Sequence, residues 1–366
     1  MTKIISIVGG NFGSEAKGAA AAHLAARFTD DLIMVRVAGP NAGHSAIGKL
    51  DGVKYAMCQV PVAAVTNLHA PLYLAAGSEI DPEVLNREVD LLDAAGYDVS
   101  SRLIIDGSAT YMSPDYAAAE VAGKMFERLG STAHGIGKAR SARIMREALT
   151  WEQALDQDSD LAKKYGTNTV TDTGSALTEA LADGINVMLE GTQGYGLGLH
   201  GQFYPQCTSS DTRTIDFLAM AGISPWGLPG VTVEPWVVVR TFPIRVAGNS
   251  GPLANETSWE QLANETNGYI KPEITTVTKR VRRVGRWDGE LSRRAIAANG
   301  GPEACKVSLG FVDYLQPDLA GSTDPQDLAP QTREILNSMA DDMGVVPSLL
   351  GTGPGSFIEN YEQRRF

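Results

Sequence analysis

The chain has 366 residues, of which 43% are hydrophobic and 20% are charged, so it can bury a large core and is not expected to be disordered. A net charge of −12, from 31 basic and 43 acidic residues, argues against binding a nucleic acid polymer, because phosphate backbones need clustered positive charge. No apolar stretch is long enough to span a membrane, no export signal opens the chain, and the cysteines Cys58, Cys207 and Cys305 form no CxxC pair. We therefore expect a cytoplasmic protein without a disulfide framework or zinc site.

The first elements of the chain follow the order strand, glycine-rich loop, helix. Lys3–Val8 is a β-branched run typical of a strand buried on both faces, and the glycine-rich segment Gly9–Gly18 leads into an alanine-rich helix that extends to Ala26. Further elements alternate in type: strands are predicted at Leu32–Val37, Pro71–Leu74, Arg102–Ile105, Val187–Leu189 and Val237–Thr241, and helices at Pro82–Ala95, Ser113–Arg128, Ser141–Leu155 and Ser175–Asp183. This alternation predicts an α/β fold with a central, mostly parallel sheet flanked by helices.

The length of the chain permits two domains, but no linker, repeat or low-complexity tract divides it. A Gly/Asn/Pro-rich stretch at 247–255 and a Pro/Asp-rich stretch at 316–330 have the composition of surface loops rather than of domain boundaries. We therefore predict one domain, residues 1–366, with surface excursions near these two stretches.

The glycine-rich loop at Gly13–Gly18 has two interpretations. A strand-to-helix glycine loop presents backbone N–H groups and a helix N-terminus to phosphate oxygens, and Lys17 adds a positive charge. The same glycines are also common in a tight turn that binds nothing. The loop is not an ordinary P-loop, because Lys17 precedes Gly18 and Ala19 stands where a serine or threonine would hold magnesium.

A second glycine cluster, Ala38–Ser45, follows the next predicted strand. Successive strands of a parallel sheet end at one edge, so the two loops can face each other across a ligand. His44 in the second loop is either a general acid that polarises a carbonyl oxygen or an exposed histidine of a turn.

At this point the motifs resemble those of the adenylosuccinate synthetase family, which joins aspartate to a 6-oxopurine nucleotide using a nucleoside triphosphate. The landmarks occur in the family's order over essentially the whole chain: Gly13–Gly18, Asn41–Ser45, Ser131–Gly137, Arg146, Leu189–Gly194, Tyr204–Ser210, Glu273 with Thr278–Arg283, and Gly351–Pro354. Lys279–Arg283 by itself is also compatible with a solvated basic stripe, but in an acidic chain we interpret it as an anion-binding segment. The resemblance implies the family's P-loop-related fold and a ligase activity.

The resemblance also implies roles for individual residues. It assigns catalysis to Ser14, Lys17 and His44. It assigns the triphosphate, ATP or dATP, to Gly13, Glu15, Ala16, Lys17, Gly18, Gly43, His44, Ser45, Arg282, Ser308, Gly310, Thr352 and Gly353. It assigns the purine monophosphate to Ser14, Asn41, Ser131, Thr132, Arg146, Gln193, Thr208 and Val246, and L-aspartate to Thr276, Val277, Thr278, Arg280 and Arg282. It further implies Mg²⁺ at Ser14 and Gly43, and a homodimer in which Arg146 serves the partner's site.

The chain departs from the family at Ser14, where other members carry an aspartate that accepts the proton of ring nitrogen 1 and binds magnesium. A hydroxyl is a poor general base and a weak ligand for Mg²⁺, so the usual reaction on IMP should be impaired. Serine is also smaller and can hydrogen-bond to a 2-amino group, which indicates a guanine nucleotide as acceptor. The proton acceptor is then either Glu15 or the γ-phosphate.

A second departure lies at Ser308–Gly310, where the family's guanine-reading Lys-Leu-Asp segment is replaced by Ser-Leu-Gly. Without that carboxylate an adenine triphosphate becomes the expected donor, unless Asp313 compensates. Both departures resemble the viral branch of the family, whose members ligate aspartate to dGMP with ATP or dATP in the biosynthesis of 2-aminoadenine nucleotides. The alternatives are a conventional enzyme acting on IMP with GTP, and a nucleotide-binding protein that has lost catalysis.

Overall fold

A computed structural model describes residues 1–275, 280–360, 362 and 364–366. Its strands are β1 (Thr2–Gly9), β2 (Leu32–Arg36), β3 (His44–Ile47), β4 (Lys54–Met57), β5 (Leu72–Leu74), β6 (Glu79–Ile80), β7 (Leu103–Asp106), β8 (Thr110–Tyr111), β9 (Thr169–Val170), β10 (Asn186–Glu190), β11 (Val231–Arg240), β12 (Ile244–Arg245), β13 (Glu256–Thr257), β14 (Arg283–Gly285), β15 (Lys306–Gly310), β16 (Leu349–Gly353) and β17 (Ser356–Glu359). Its helices are α1 (Lys17–Ala25), α2 (Pro82–Ala94), α3 (Val99–Arg102), α4 (Pro114–Ala122), α5 (Met125–Leu129), α6 (Ile136–Met145), α7 (Trp151–Gln157), α8 (Ser159–Tyr165), α9 (Thr173–Ala182), α10 (Thr214–Met220), α11 (Trp259–Glu265), α12 (Gly289–Ala298) and α13 (Pro330–Met343).

Within the described residues, ten strands form the central sheet in the order β17-β16-β15-β11-β1-β10-β2-β5-β7-β9. Neighbouring strands run parallel throughout, except that β17 pairs antiparallel with β16. The register of β1 places Ile7 opposite Glu190 on one side and Trp236 on the other. The predicted central, mostly parallel sheet is therefore confirmed.

Side chains of the central strands alternate between two apolar layers, one on each face of the sheet. Ile5 and Ile7 pack into one cluster, together with residues of α1, α2 and α7, whereas Ile4 and Val8 pack into the other, together with residues of α9, α10, α12 and α13. Burial on both faces is the reason that these strands read as continuous apolar runs rather than as alternating ones.

Two predicted helices are each broken into two. The segment predicted as Ser113–Arg128 divides into α4 and α5 at Gly123 and Lys124, because Lys124 has a left-handed backbone with φ of +50°. The segment predicted as Ser141–Leu155 divides after Met145, since Arg146 is left-handed and Thr150 starts α7 with a capping box to Gln153. Left-handed residues terminate a helix, and only glycine signals them reliably in a sequence.

The two predicted surface excursions are loops with buried anchors. In the stretch 247–255, Ser250 and Leu253 are buried, and in the stretch 316–330, Leu319 and Leu328 pack into the apolar layer beneath α13. Both stretches are therefore held against the body of the protein. No helix in the described ranges is long and apolar enough to cross a membrane.

Candidate active site

A cleft of about 620 Å³ opens at the carboxyl edge of the central sheet, where the loops after β1, β2, β10, β11, β15 and β16 meet. This is the edge at which parallel α/β sheets bind ligands. Most residues predicted for the site line this cleft: Gly13, Ser14, Glu15, Ala16, Lys17, Gly18, Asn41, Gly43, His44, Ser45, Ser131, Thr132, Gln193, Val246, Arg282, Ser308, Gly310 and Gly353.

The loop after β1 is built around the buried carboxylate of Glu15. One oxygen accepts hydrogen bonds from the backbone N–H groups of Gly13, at 2.7 Å, and Asn11, at 3.2 Å. The other oxygen lies 2.6 Å from Nζ of Lys17, which also donates to the backbone carbonyl of Gln193. The side chain of Glu15 is thus directed into the loop and fully buried, and both of its oxygens are occupied.

Ser14 is exposed to the cleft and is held by two arginines. Nη1 of Arg240 donates to its backbone carbonyl at 3.0 Å, and Nη1 of Arg282 donates to its hydroxyl. Both arginines face the carboxylate of Glu273, which forms an ion pair with Arg240 and lies 3.9 Å from Arg282. Burial works to raise the pKa of Glu273, but the two arginines outweigh it and hold that pKa below its usual value.

His44 begins β3 and is almost fully buried between a cation and an anion. Its Nδ1 lies 2.5 Å from Oε1 of Glu190 and 3.0 Å from Nη1 of Arg36, and Arg36 and Glu190 also form an ion pair. Burial and the neighbouring Arg36 lower the pKa of His44 to about 4. The imidazole is therefore neutral at pH 7. We assign its proton to Nδ1, because the nearest group to that nitrogen is the carboxylate of Glu190, which can only accept.

The contact between α1 and β3 leaves no room for a side chain at Gly18. A Cβ at this position would lie 2.7 Å from Cβ of His44 and 3.0 Å from the backbone nitrogen of Ser45. The absence of a side chain at Gly18 therefore allows α1 to lie this close to His44 at the start of β3.

Ser131, Thr132 and Val246 line the cleft together with Arg245, a residue that was not predicted for the site. Its guanidinium stacks on the ring of Phe12 at 4.1 Å, and burial together with the charge of Arg283 lowers its pKa to about 10. Nε of Arg245 is buried and has no hydrogen-bond partner within the described residues.

The lining of the cleft also includes Ser308, Gly310, Asp313 and Gly353. A Cβ at Gly310 would meet the backbone carbonyl of Glu15 at 3.0 Å, which is tighter than an ordinary contact. Asp313 is buried, which raises the pKa of its carboxyl group, and it accepts a hydrogen bond from the hydroxyl of Tyr269 at 2.7 Å.

Four of the predicted residues lie outside this cleft lining. Arg146 is exposed and its Nη1 donates to the carbonyl of Ile144 at 2.8 Å. Thr352 is fully buried, and its hydroxyl donates to the carbonyl of Ser322 at 2.7 Å. Thr208 and Arg280 also lie outside the lining, and the predicted aspartate-binding residues Thr276, Val277 and Thr278 fall outside the described residues.

Besides Arg245, three more buried residues of the site were not identified from the sequence: Arg36, Glu190 and Arg240. Glu190 appeared in the sequence only as part of the motif Leu189–Gly194, and Arg36 and Arg240 are the last residues of apolar strands. A charged residue that ends a buried parallel strand is the signal that could have identified them, because an unpaired charge there would be costly.

Comparisons with known proteins give a consistent result. The family model for adenylosuccinate synthetase matches residues 6–169 and 150–318. The adenylosuccinate synthetase of Methanococcus maripaludis strain S2 is 33% identical over 349 residues, covering 95% of each chain. That of Archaeoglobus fulgidus is also 33% identical over 349 residues, with the same coverage of both chains.

Two solved structures resemble the fold over nearly its full length. The cyanophage S-2L succinoaminodeoxyadenylate synthetase (PurZ), bound to dGMP and dATP as an energy donor, has a TM-score of 0.79 and 25% identity, covering 99% of this chain and 97% of that one. The fully ligated adenylosuccinate synthetase from Plasmodium falciparum has a TM-score of 0.81 and 19% identity, covering 98% of this chain and 99% of that one.

Proposed function

Because this chain belongs to the adenylosuccinate synthetase family of carbon–nitrogen ligases, we propose that it joins L-aspartate to dGMP at the expense of ATP or dATP. The products would be 6-succino-2-amino-2′-deoxyadenylate, ADP or dADP, and phosphate. The observation that carries this proposal is Ser14, a neutral hydroxyl facing the cleft at the position where the family places an aspartate. The likeness to the cyanophage protein bound to dGMP and dATP supports it.

The proposed reaction has two steps. In the first, O6 of the guanine attacks the γ-phosphorus, the bond from that phosphorus to the β,γ-bridging oxygen breaks, and the N1 proton is released. In the second, the aspartate amine attacks C6, the C6–O6 bond breaks, inorganic phosphate leaves, and the amine loses its proton. Both steps depend chiefly on positioning and on neutralising negative charge.

Ser14 would contact the acceptor base rather than remove its proton. Its hydroxyl already accepts a hydrogen bond from Arg282, and it can also interact with a 2-amino group that hypoxanthine lacks. Since both carboxylate oxygens of Glu15 are engaged within the loop, the transferred γ-phosphate is the better candidate for the proton acceptor.

His44 would stabilise the charge that develops on O6 or on the leaving phosphate. Its Nδ1 is occupied by Glu190 at 2.5 Å, so Nε2 is the nitrogen available to a substrate. Donation from Nε2 requires the imidazolium, and the negative charges of a bound triphosphate would raise the pKa of His44 from its value of about 4 in the free protein. Glu190 would stabilise that cation and orient the ring.

Lys17 and Arg282 would bind the triphosphate at the first loop. Lys17 is already desolvated beside Glu15, so a phosphate oxygen would compete with the carbonyl of Gln193 for its ammonium group. Gly310 offers no carboxylate to bind the guanine of GTP, which favours an adenine donor. Asp313 remains the group that would permit GTP, since it also lines the cleft.

Adenylosuccinate synthetases generally use Mg²⁺, and this chain offers two neutral oxygens for it, the hydroxyl of Ser14 and the carbonyl of Gly43, both on the cleft. No cluster of three or more His, Cys, Asp or Glu side chains suited to a metal occurs in the described part of the chain. Such a donor set fits a nucleotide-borne Mg²⁺ that keeps waters and phosphate oxygens as its main ligands. When bound, the ion would neutralise charge on the β- and γ-phosphates.

We also propose that the enzyme is a homodimer in which Arg146 serves the partner's site. Arg146 lies outside its own cleft, next to the exposed apolar side chains of Ile144 and Met145, which are 69% and 62% accessible. An Arg146→Ala variant mixed with a His44→Ala variant should recover activity, because one hybrid site then contains both native residues. Failure of the mixture to exceed either variant alone would contradict a shared site.

The test of the proposed reaction is a matrix of dGMP, GMP and IMP against ATP, dATP and GTP, with the product identified by mass. We expect the succino-product mainly with dGMP and an adenine triphosphate. Ser14→Asp should gain activity on IMP and lose it on dGMP, whereas Ser14→Ala, the matched control, should lose activity on dGMP without gaining it on IMP. No change in acceptor preference for Ser14→Asp would contradict the role of Ser14.

A conventional reaction on IMP with GTP is the second candidate, and it is favoured by the 33% identity to archaeal adenylosuccinate synthetases over 95% of the chain. Turnover of IMP that exceeds turnover of dGMP would establish it. Binding of dGMP without product from any triphosphate would instead indicate a protein that has lost catalysis.

A further inference from the structure

We propose that Phe126 is a positioning residue for aspartate, because its ring holds the guanidinium of Arg280. The guanidinium carbon lies 4.1 Å from the ring centroid of Phe126, which belongs to α5 and lines the cleft. The inference rests on the proposed function, in which Arg280 receives an aspartate carboxylate. It adds a residue that neither the resemblance nor the sequence analysis identified.

Arg280 differs from the neighbouring Arg282 and Arg283, because no carboxylate in the described part of the chain balances its charge. Arg283 forms a bidentate ion pair with Glu256, at 2.7 and 2.6 Å, and Arg282 faces Glu273 and donates to Ser14. Among the residues that the structure describes, no carboxylate lies within salt-bridge distance of Arg280. Its guanidinium can therefore pair with the carboxylate of a small acidic substrate without first breaking an internal ion pair.

The backbone of Arg280 is held by hydrogen bonds to Thr275. The N–H of Thr275 donates to the carbonyl of Arg280 at 2.9 Å, and the N–H of Arg280 donates to the hydroxyl of Thr275 at 3.0 Å. Two residues away on each segment, the N–H of Arg282 donates to the carbonyl of Glu273 at 2.8 Å. These bonds place the Cα of Arg280 but not its long side chain, and the ring of Phe126 supplies the contact that restricts the guanidinium.

Phe126 links Arg280 to the part of the cleft proposed to bind the monophosphate. Helix α5 ends at Leu129 with Gly130 as its left-handed cap, and Gly130, Ser131 and Thr132 all line the cleft. The carbonyl of Arg128, on the same helix, accepts a hydrogen bond from Nδ2 of Asn249 at 2.8 Å, which ties α5 to the loop after Val246. One short helix thus contacts the loops proposed to bind dGMP and the arginine proposed to bind aspartate.

A cation–π contact at a partly exposed site contributes about 0.5–1 kcal/mol, and this corresponds to a change of about two- to fivefold in affinity. In Phe126→Leu, which keeps an apolar side chain but loses the ring, we expect the KM for aspartate to rise about threefold. The kcat and the KM for dGMP should stay within twofold of wild type. Phe126→Tyr, the matched control that keeps the ring, should retain the wild-type KM for aspartate.

The decisive measurement is a double-mutant cycle with Arg280→Gln in the full-length enzyme, followed by aspartate binding in the presence of dGMP and a non-hydrolysable ATP analogue. If Phe126 acts through Arg280, Phe126→Leu will weaken aspartate binding in the wild-type background and not in the Arg280→Gln background. Equal weakening in both backgrounds, or none in either, would overturn the inference. If product forms and the KM for aspartate is the same in Phe126→Leu as in the wild type, the positioning role alone is refuted. If aspartate binding depends on Phe126 but no product forms, the proposed reaction alone is refuted.

Discussion

We expect Gly18→Ala to lower the kcat of the enzyme much more than it lowers the stability of the fold. The new Cβ would lie 2.7 Å from Cβ of His44, whereas carbon atoms prefer about 3.5–4.0 Å, so α1 and β3 must move apart by about 1 Å. The backbone of Ser45, at 3.0 and 3.1 Å from the same Cβ, prevents a simple rotation of the histidine. A shift of this size would lengthen the 2.5 Å contact between His44 and Glu190 to about 3.5 Å, where a hydrogen bond is weak.

The expected cost is larger for catalysis than for stability. Overpacking of this kind lowers the free energy of unfolding by about 1–3 kcal/mol, while a misplacement of about 1 Å at a reacting group lowers kcat by about 100-fold. The assay is phosphate release at saturating dGMP, aspartate and ATP, with thermal unfolding of the same samples. Gly166→Ala is the matched control, because nothing lies within 4 Å of a Cβ there and its backbone is right-handed. A kcat within threefold of wild type in Gly18→Ala would refute the argument.

The remaining predictions concern His44, Glu273 and Gly310. The pKa of His44 falls from 6.5 to about 4 on folding, so the unfolded chain binds more protons than the folded one between these pH values. The free energy of unfolding should therefore decrease as the pH falls from 6.5 to 4, by on the order of 3 kcal/mol from this group. Urea titrations of His44→Gln should show a shallower dependence of that free energy on pH. Glu273→Gln removes the carboxylate that pairs with the buried Arg240 and should lower the free energy of unfolding by about 3 kcal/mol. The control Glu290→Gln disrupts only exposed ion pairs and should leave the urea midpoint unchanged. Equal urea midpoints for the two variants would contradict the prediction. Gly310→Asp introduces the carboxylate that the resemblance to the family implies at this position, with its Cβ 3.0 Å from the carbonyl oxygen of Glu15. It should raise the ratio of the rate with GTP to the rate with ATP by about tenfold, while the steric contact lowers both rates. An unchanged ratio of initial rates would show that this position does not contact the base.

Much of the fold was predictable from local patterns. Apolar runs buried on both faces of a parallel sheet indicated the central strands, and the helices at Pro82–Ala94 and Thr173–Ala182 lie within two residues of their predicted bounds. Asp81 shows why the first of these was readable, since it caps α2 with its own carboxylate directly before Pro82. The broken helices were not readable, because the left-handed backbones of Lys124 and Arg146 depend on tertiary contacts rather than on residue type.

The sequence by itself determined that the glycine-rich loops meet at one edge of a parallel sheet, because the loops that follow parallel strands lie at the same edge. Only the tertiary structure decided what each charged group there faces. His44 meets Glu190 from 146 residues away, and Ser14 meets Arg282 from 268 residues away. Likewise, the carboxylate of Glu15 turns into its own loop, and Phe126 contacts Arg280. Buried charges must find partners in three dimensions, and no spacing along the chain specifies which partner that will be.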